Sequence, residues 1–342
     1  MKRRTIAACA ATAVACLALT AAATANPDRT AAPKALTKIT FMADYPRPPW
    51  VAQIPWVVAM DKGWYKAAGL DVKYVFPATP ADPARFIGIG RADITVSYTP
   101  DLLTAASKGL KVKALASVFD RNVEGIMVWN DSGITTPKQL EGHTVAIYDF
   151  PMAKLNWKTF AAHYGIDTTK VKVVSEGNYG VPLIVANKVD GIDAAAPSEL
   201  VDSEIQAKKS ARFWVYLKQN GIPDFYWFVI AANSDWAQKN PVAAKAFVSV
   251  TMKAVKWSFQ HQKEAVAIFV KTYKKDVSPE LASKAWAQIV KYDSTRFKPA
   301  KPAGWMDPAI WKSYAQFLTT KKFFTDKVNV DDVLTGNQFV GK

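Results

Sequence analysis

Gly90-Arg91-Ala92-Asp93-Ile94-Thr95-Val96-Ser97-Tyr98-Thr99-Pro100 decides the fold of this chain. Ile94 to Tyr98 reads as a strand. Pro100 then opens a helix, because a proline in the first turn gives up an N–H that would have no helical partner anyway. The same junction returns at Tyr148-Asp149-Phe150-Pro151, Asn178-Tyr179-Gly180-Val181-Pro182 and Ala196-Pro197-Ser198-Glu199. Strands that repeatedly run straight into helices predict an α/β fold.

Working outward, the pattern predicts strands at Ile39 to Met42, Asp71 to Val75, Val112 to Val118, Gly125 to Trp129, Thr144 to Tyr148, Val171 to Val174 and Ile192 to Ala195. One more, Trp227 to Ala231, follows Pro223. After it come only helices: Pro241 to His261, Gln262 to Lys271, Pro279 to Val290 and Pro308 to Thr320. Asn240-Pro241, Ser278-Pro279 and Asp307-Pro308 supply their start signals, and Thr136-Pro137-Lys138-Gln139 is a capping box. No internal repeat is visible.

With 342 residues, half of them hydrophobic and 21% charged, the chain has mass for two domains and is not a disordered polymer. Its first residues read as a secretory leader: cationic Met1-Lys2-Arg3-Arg4, an apolar run from Ile6, and Ala23-Thr24-Ala25 as the cleavage site. Cleavage after Ala25 removes both cysteines, Cys9 and Cys16, and three positive charges, leaving 317 residues at net +12 instead of +15. A lipid anchor at Cys16 is the less favoured alternative to cleavage after Ala25, since the run before it is short and Ala13 stands where such sites prefer Leu. Asn26 to Lys38, rich in Ala, Pro and Thr, reads as a disordered tether.

Ligands of open α/β sheets bind beyond the carboxyl ends of the strands, so the strand-to-helix junctions should face one crevice. Ser97, Tyr98, Tyr148, Phe150, Asn178, Tyr179 and Glu199 lie at them. The first strand leads into Asp44-Tyr45-Pro46-Arg47-Pro48-Pro49-Trp50, a loop stiffened by three prolines that offers Asp44, Tyr45 and Trp50. Aromatics with a few carboxylate, hydroxyl and amide groups suit a planar or compact solute. Asp44 and Glu199 are the candidate acceptors for a ligand donor, and Arg47 is either an anion partner or solvated.

Signatures of catalysis are missing. His143, His163 and His261 are the three histidines, without metal-ligand spacing, and no G-x-S-x-G, G-x-x-x-x-G-K-[ST] or complete G-x-G-x-x-G occurs. The chain therefore reads as a binder with no cofactor and no metal. Lysines spread along the helices, together with export, argue against nucleic acid.

Several segments resemble the solute-binding proteins of ABC importers, in the group that binds nitrate, taurine, alkanesulfonates and thiamine-pyrimidine precursors. The carriers are Asp61-Lys62-Gly63-Trp64-Tyr65 through Gly69-Leu70-Asp71-Val72, Gly90-Arg91-Ala92-Asp93-Ile94, Asp131-Ser132-Gly133-Ile134 with Leu140 to Val145, and Lys188-Val189-Asp190-Gly191-Ile192-Asp193. The resemblance implies a periplasmic-binding-protein type II fold, with two α/β lobes joined by two crossing strands and the ligand cleft between them. On that plan residues 39–120 and 221–342 build the first lobe and 121–220 the second, with crossings near Ser117 to Gly125 and Arg212 to Tyr226. It also implies a periplasmic monomer that delivers a small molecule to an ABC permease in the cytoplasmic membrane.

Asp44 beside an aromatic, and Ser97-Tyr98 before a helix-starting proline, resemble the pyrimidine-precursor branch. A sulfonate, taurine, nitrate or aromatic acid remains the alternative, because Pro46 to Trp50 and Asp149-Phe150-Pro151 depart from that branch. Yeast-type pyrimidine synthases share the fold and depend on iron, a Cys-rich motif and a reactive histidine. The mature chain would carry no cysteine.

Overall fold

The computed structural model describes residues 35–47, 49–79, 82–177, 179–293, 301–324, 328–334 and 336–340. The leader, the cleavage site and Asn178 lie outside them. Among the described residues there are ten strands: β1 (Thr37–Met42), β2 (Leu70–Val75), β3 (Ile94–Tyr98), β4 (Val112–Phe119), β5 (Glu124–Trp129), β6 (Thr144–Ile147), β7 (Lys172–Ser175), β8 (Gly191–Ala195), β9 (Ala211–Val215) and β10 (Phe228–Asn233). They form two five-stranded sheets, ordered β2-β1-β3-β10-β4 and β7-β6-β8-β5-β9. Each sheet anchors one lobe.

The two sheets share a plan that the sequence hides. In the first, β1 runs parallel to β2 and β3, and β10 is antiparallel to β3 and β4. In the second, β6 runs parallel to β7 and β8, and β5 is antiparallel to β8 and β9. One device pins both parallel pairs. Asp93, just before β3, takes the Thr40 N–H of β1 at 2.7 Å, and Asp190, just before β8, takes the Thr144 N–H of β6 at 2.8 Å. The backbone N–H groups of Asp93 and Asp190 return bonds to the Thr40 and Thr144 carbonyls. These recurrent aspartates thus set strand register.

Strand polarity places the site. The parallel strands β1 and β3 end where the antiparallel β10 begins, since Phe228 pairs with Tyr98 and with Phe119 at the end of β4. Asp44, Tyr98, Phe119 and Trp227 therefore share one edge of the first sheet. In the second, β6, β7 and β8 end where β5 begins, with Glu124 opposite Ala195. That edge gathers Glu124, Tyr148, Glu176 and the turn carrying Glu199, and Tyr216 joins it through its N–H bond to the Glu124 carbonyl.

Two passages link the sheets, residues 120–123 and 216–227. The second differs from the expected crossing: Arg212 to Val215 belong to β9, an edge strand paired with β5. Its side chains are only partly covered from Ala211 to Trp214, so the run lacks the apolar alternation of a core strand. β1 also begins inside the expected tether, because the Thr37 N–H bonds the Gly69 carbonyl at 2.9 Å. Helix Pro279–Asp293 packs on Val51–Gln53 of the first lobe and on Ala196–Leu200 and Val201–Ala207 of the second, so it spans both. Phe41, at the centre of the first core, touches Trp56 at 5.7 Å and Phe247 at 5.1 Å.

Candidate functional site

On the first lobe, Asp44 is buried and accepts from Trp50 Nε1 at 2.7 Å and from Gln53 Nε2 at 3.2 Å. Both donors come from the chain just after it, so the proline-stiffened loop curls around its own carboxylate. Burial pushes Asp44 up to about 6, with the Trp50 bond holding it back. Gln53 Oε1 faces no partner and is buried, which leaves an open acceptor beside Asp44. Trp50 is wedged edge-on against Trp227 at 5.4 Å.

On the second lobe, Ala196–Leu200 is a π-helical turn that folds Glu199 back over the end of β8. Glu199 is buried, accepts from the Ala195 N–H at 3.0 Å, and lies against the Tyr148 hydroxyl. Its carboxyl is raised by burial, with Tyr148 opposing. Tyr148 stacks on Phe150 at 5.2 Å and 23°.

Tyr45 joins the two halves electrostatically. Burial raises its hydroxyl first, and then the charges of Glu199 and Asp44 act on it together. Acids of both lobes thus act on the half-buried Tyr45 hydroxyl.

Glu124 ties the lobes directly. Tyr98 Oη donates to Glu124 Oε2 at 2.8 Å, and Trp227 Nε1 donates to Oε1 at 3.2 Å. Enclosure pushes Glu124 up to about 7 against these two bonds, with Glu199 adding to the rise, and Asp101 is likewise pushed to about 7 by burial and by Glu124. Deeper in the second lobe, burial, Asp193 and Glu199 drive Glu176 to about 10, and burial, Glu124 and Glu199 drive Asp193 well up.

The ion pairs found among the described residues join other carboxylates, such as Lys62 with Glu264 and Lys138 with Glu141. None of them reaches Asp44, Asp101, Glu124, Glu176, Asp193 or Glu199. The chain is basic overall at +15, yet this region is acidic, and among the described residues the ion pairs found bring no basic side chain to it. Arg47 stacks over Phe76 at 4.6 Å and Tyr273 at 5.7 Å instead of meeting an anion here. Among the described residues, no three His, Cys, Asp or Glu side chains stand close enough to hold a metal ion.

Of the residues expected from sequence, Asp44, Tyr45, Trp50, Tyr98, Tyr148, Phe150 and Glu199 come to the facing sheet edges. Ser97 lies there too, but its hydroxyl is spent on the Tyr98 carbonyl at 3.1 Å. Tyr179 is 41% exposed and donates to Asp202, so it stands at the rim, where Glu199 still acts on it. Sequence reasoning missed Gln53, Glu124, Glu176, Asp193, Tyr216 and Trp227. Glu176 follows β7 as Tyr148 follows β6, and that junction rule could have found it.

The family model described as NMT1/THI5 like matches residues 50–265. The formylaminopyrimidine-binding protein of Halalkalibacterium halodurans is 23% identical over 281 residues, covering 81% of this chain and 84% of that one. A 4-amino-5-hydroxymethyl-2-methylpyrimidine phosphate synthase of Candida albicans is 25% identical over 266 residues, covering 75% and 77%. The periplasmic aliphatic sulphonate binding protein SsuA from Escherichia coli superimposes with a TM-score of 0.67 at 14% identity, covering 89% of this chain and 99% of that one. The fold is thus that of periplasmic solute-binding proteins, and the chain belongs to the NMT1/THI5-like family.

Proposed function

We propose that this protein is the extracytoplasmic solute-binding component of an ABC importer and that its solute is a compact heteroaromatic ring bearing amino groups, of the thiamine-pyrimidine-precursor kind. The observation that carries the reading is that buried carboxylates from both lobes meet at one pair of packed rings, Asp44 bonded by Trp50 and Glu124 by Trp227, with Trp50 edge-on to Trp227 at 5.4 Å. A donor-rich ring there satisfies carboxylates of both lobes at once and so favours the closed arrangement by differential contact. A sulfonate or nitrate would add a like charge, at about 4 kcal/mol for two unit charges 4 Å apart at an effective dielectric near 20.

Binding and delivery fit better than synthesis because each histidine is engaged elsewhere. His143 faces Asp190 at 3.3 Å, His163 is edge-on to Tyr164, and His261 stacks on Trp257. The leader read at residues 1–25 would export the protein, and the permease is its partner. Thermal-shift and calorimetric titration with 4-amino-5-hydroxymethyl-2-methylpyrimidine, taurine, ethanesulfonate and nitrate tests the reading. Stabilisation by the pyrimidine alone is expected, and stabilisation by the anions alone would refute it.

A further inference from the structure

We propose that the second lobe contains a deeper polar subsite, walled by Glu176, Asp193, Tyr216 and Asn156, which takes a protonated primary amine carried by the solute. The proposal rests on the reading of the cleft as a site for hydrogen-bond donors. Strand register assembles it. Asp193 of β8 lies opposite Ile126 of β5, which lies opposite Trp214 of β9, so the three project from one face. Tyr216, two residues beyond Trp214, continues that face. Helix Pro151–His163 covers it, with Phe160 edge-on to the Tyr216 ring at 5.7 Å, and Asn156 precedes Phe160 by one turn on the same helix face.

These groups are closed off and unpaired. Asp193, Tyr216 and Asn156 are each 1% exposed and Glu176 is 9% exposed. Both oxygens of Glu176, Asp193 Oδ1, Tyr216 Oη and both amide atoms of Asn156 make no hydrogen bond. The Tyr216 hydroxyl faces Asp193 without reaching bonding geometry. A buried polar group without a partner costs about 1–3 kcal/mol, so this concentration of unmet groups calls for an occupant.

The chemistry selects which occupant. Carboxyl oxygens, a hydroxyl and an amide carbonyl are all acceptors, and an ammonium group brings three donors and no acceptor. Burial and the neighbouring Glu199 favour the protonated forms of Glu176 and Asp193, and an entering ammonium takes the place of such a proton as the positive charge among them. A carboxylate or phosphate arm would bring only further acceptors to a site already rich in them. Gly180 makes room for the Glu176 carboxyl group itself, which a Cβ there would strike.

Benzylammonium and benzyl alcohol match in size and differ in charge, and calorimetry on the purified full chain at pH 7.5 compares them. Benzylammonium is expected to bind at least tenfold more tightly. Asp193→Asn and Glu176→Gln should each reduce that preference below threefold while melting curves show both variants folded. Equal binding of the two probes, binding of neither as for a site that holds only water, or an unchanged preference in both variants overturns the proposal. A parallel titration with 4-aminopyrimidine separates the two claims. Ammonium preference without ring binding leaves the subsite standing and removes the ring assignment; ring binding without ammonium preference does the reverse.

Discussion

Tyr98 of the first lobe donates its hydroxyl to Glu124 of the second at 2.8 Å, and this bond sits where the chain first crosses between the sheets. Trp227, on the returning passage, holds the other oxygen of the same carboxylate. Glu124, where the first passage enters β5, is thus held by the end of β3 and by the returning passage.

Replacing Tyr98 by Phe removes one of these bonds and leaves the ring packed edge-on against Phe225. A hydrogen bond to a charged group is worth about 1.5–3 kcal/mol. The expected outcome is a fall in solute affinity of about tenfold, with the free protein more open by small-angle scattering. Unchanged affinity and unchanged scattering would show that the bond does not set the lobe angle.

Asp44→Asn and Asp44→Ala should part company. Asparagine can still accept from Trp50 and turn its amide toward Gln53, so the fold should melt within a degree or two of wild type while solute affinity drops tenfold or more. Alanine strands the Trp50 and Gln53 donors and should cost about 1–3 kcal/mol of stability as well. Denaturant titration beside calorimetry checks both.

Acid should stabilise the free protein. Asp44 and Glu124 are raised to about 6 and about 7 by burial, above the carboxyl values of an unfolded chain. The folded state therefore binds more protons than the unfolded state as pH rises from near 4 to near 7. Their stabilising contribution is complete at the acid end of that window and lost as pH passes through the folded values. Melting temperature should fall between pH 5 and pH 8, and Asp44→Asn should flatten the slope. A melting temperature that rises across the window would contradict this account.

Gly180→Ala tests the packing beneath Glu176. The new Cβ would meet the Glu176 carboxyl group and the Ile192 side chain at 3.1 Å. Overpacking of this kind costs about 1–3 kcal/mol. The double variant with Glu176→Ala should recover most of the loss, which a thermal-melt double-mutant cycle would show.

The sequence made the strand-to-helix junctions legible because proline and glycine punctuate them, which is why Tyr98, Tyr148 and Glu199 could be placed at the ends of β3, β6 and β8. Glu124 and Trp227 were illegible because their contact joins residues 103 apart and depends on how the crossings run. Gln53 was hidden within a short helical turn whose residues are all buried. Asp193 was visible inside a scaffold motif, but only the register of β5, β8 and β9 turns its carboxyl toward Tyr216. The common plan of the two sheets left no trace in residue identity beyond Asp93 and Asp190.

Acids from both lobes are expected to select a donor-rich ring over an anion. Calorimetry with 4-aminopyrimidine and pyrimidine-4-carboxylate, at pH 7.5 and equal ionic strength, tests it most directly, because the two rings differ by one substituent of opposite hydrogen-bonding character. The amine should bind at least a hundredfold more tightly. Carboxylate binding that equals or exceeds it would contradict the account.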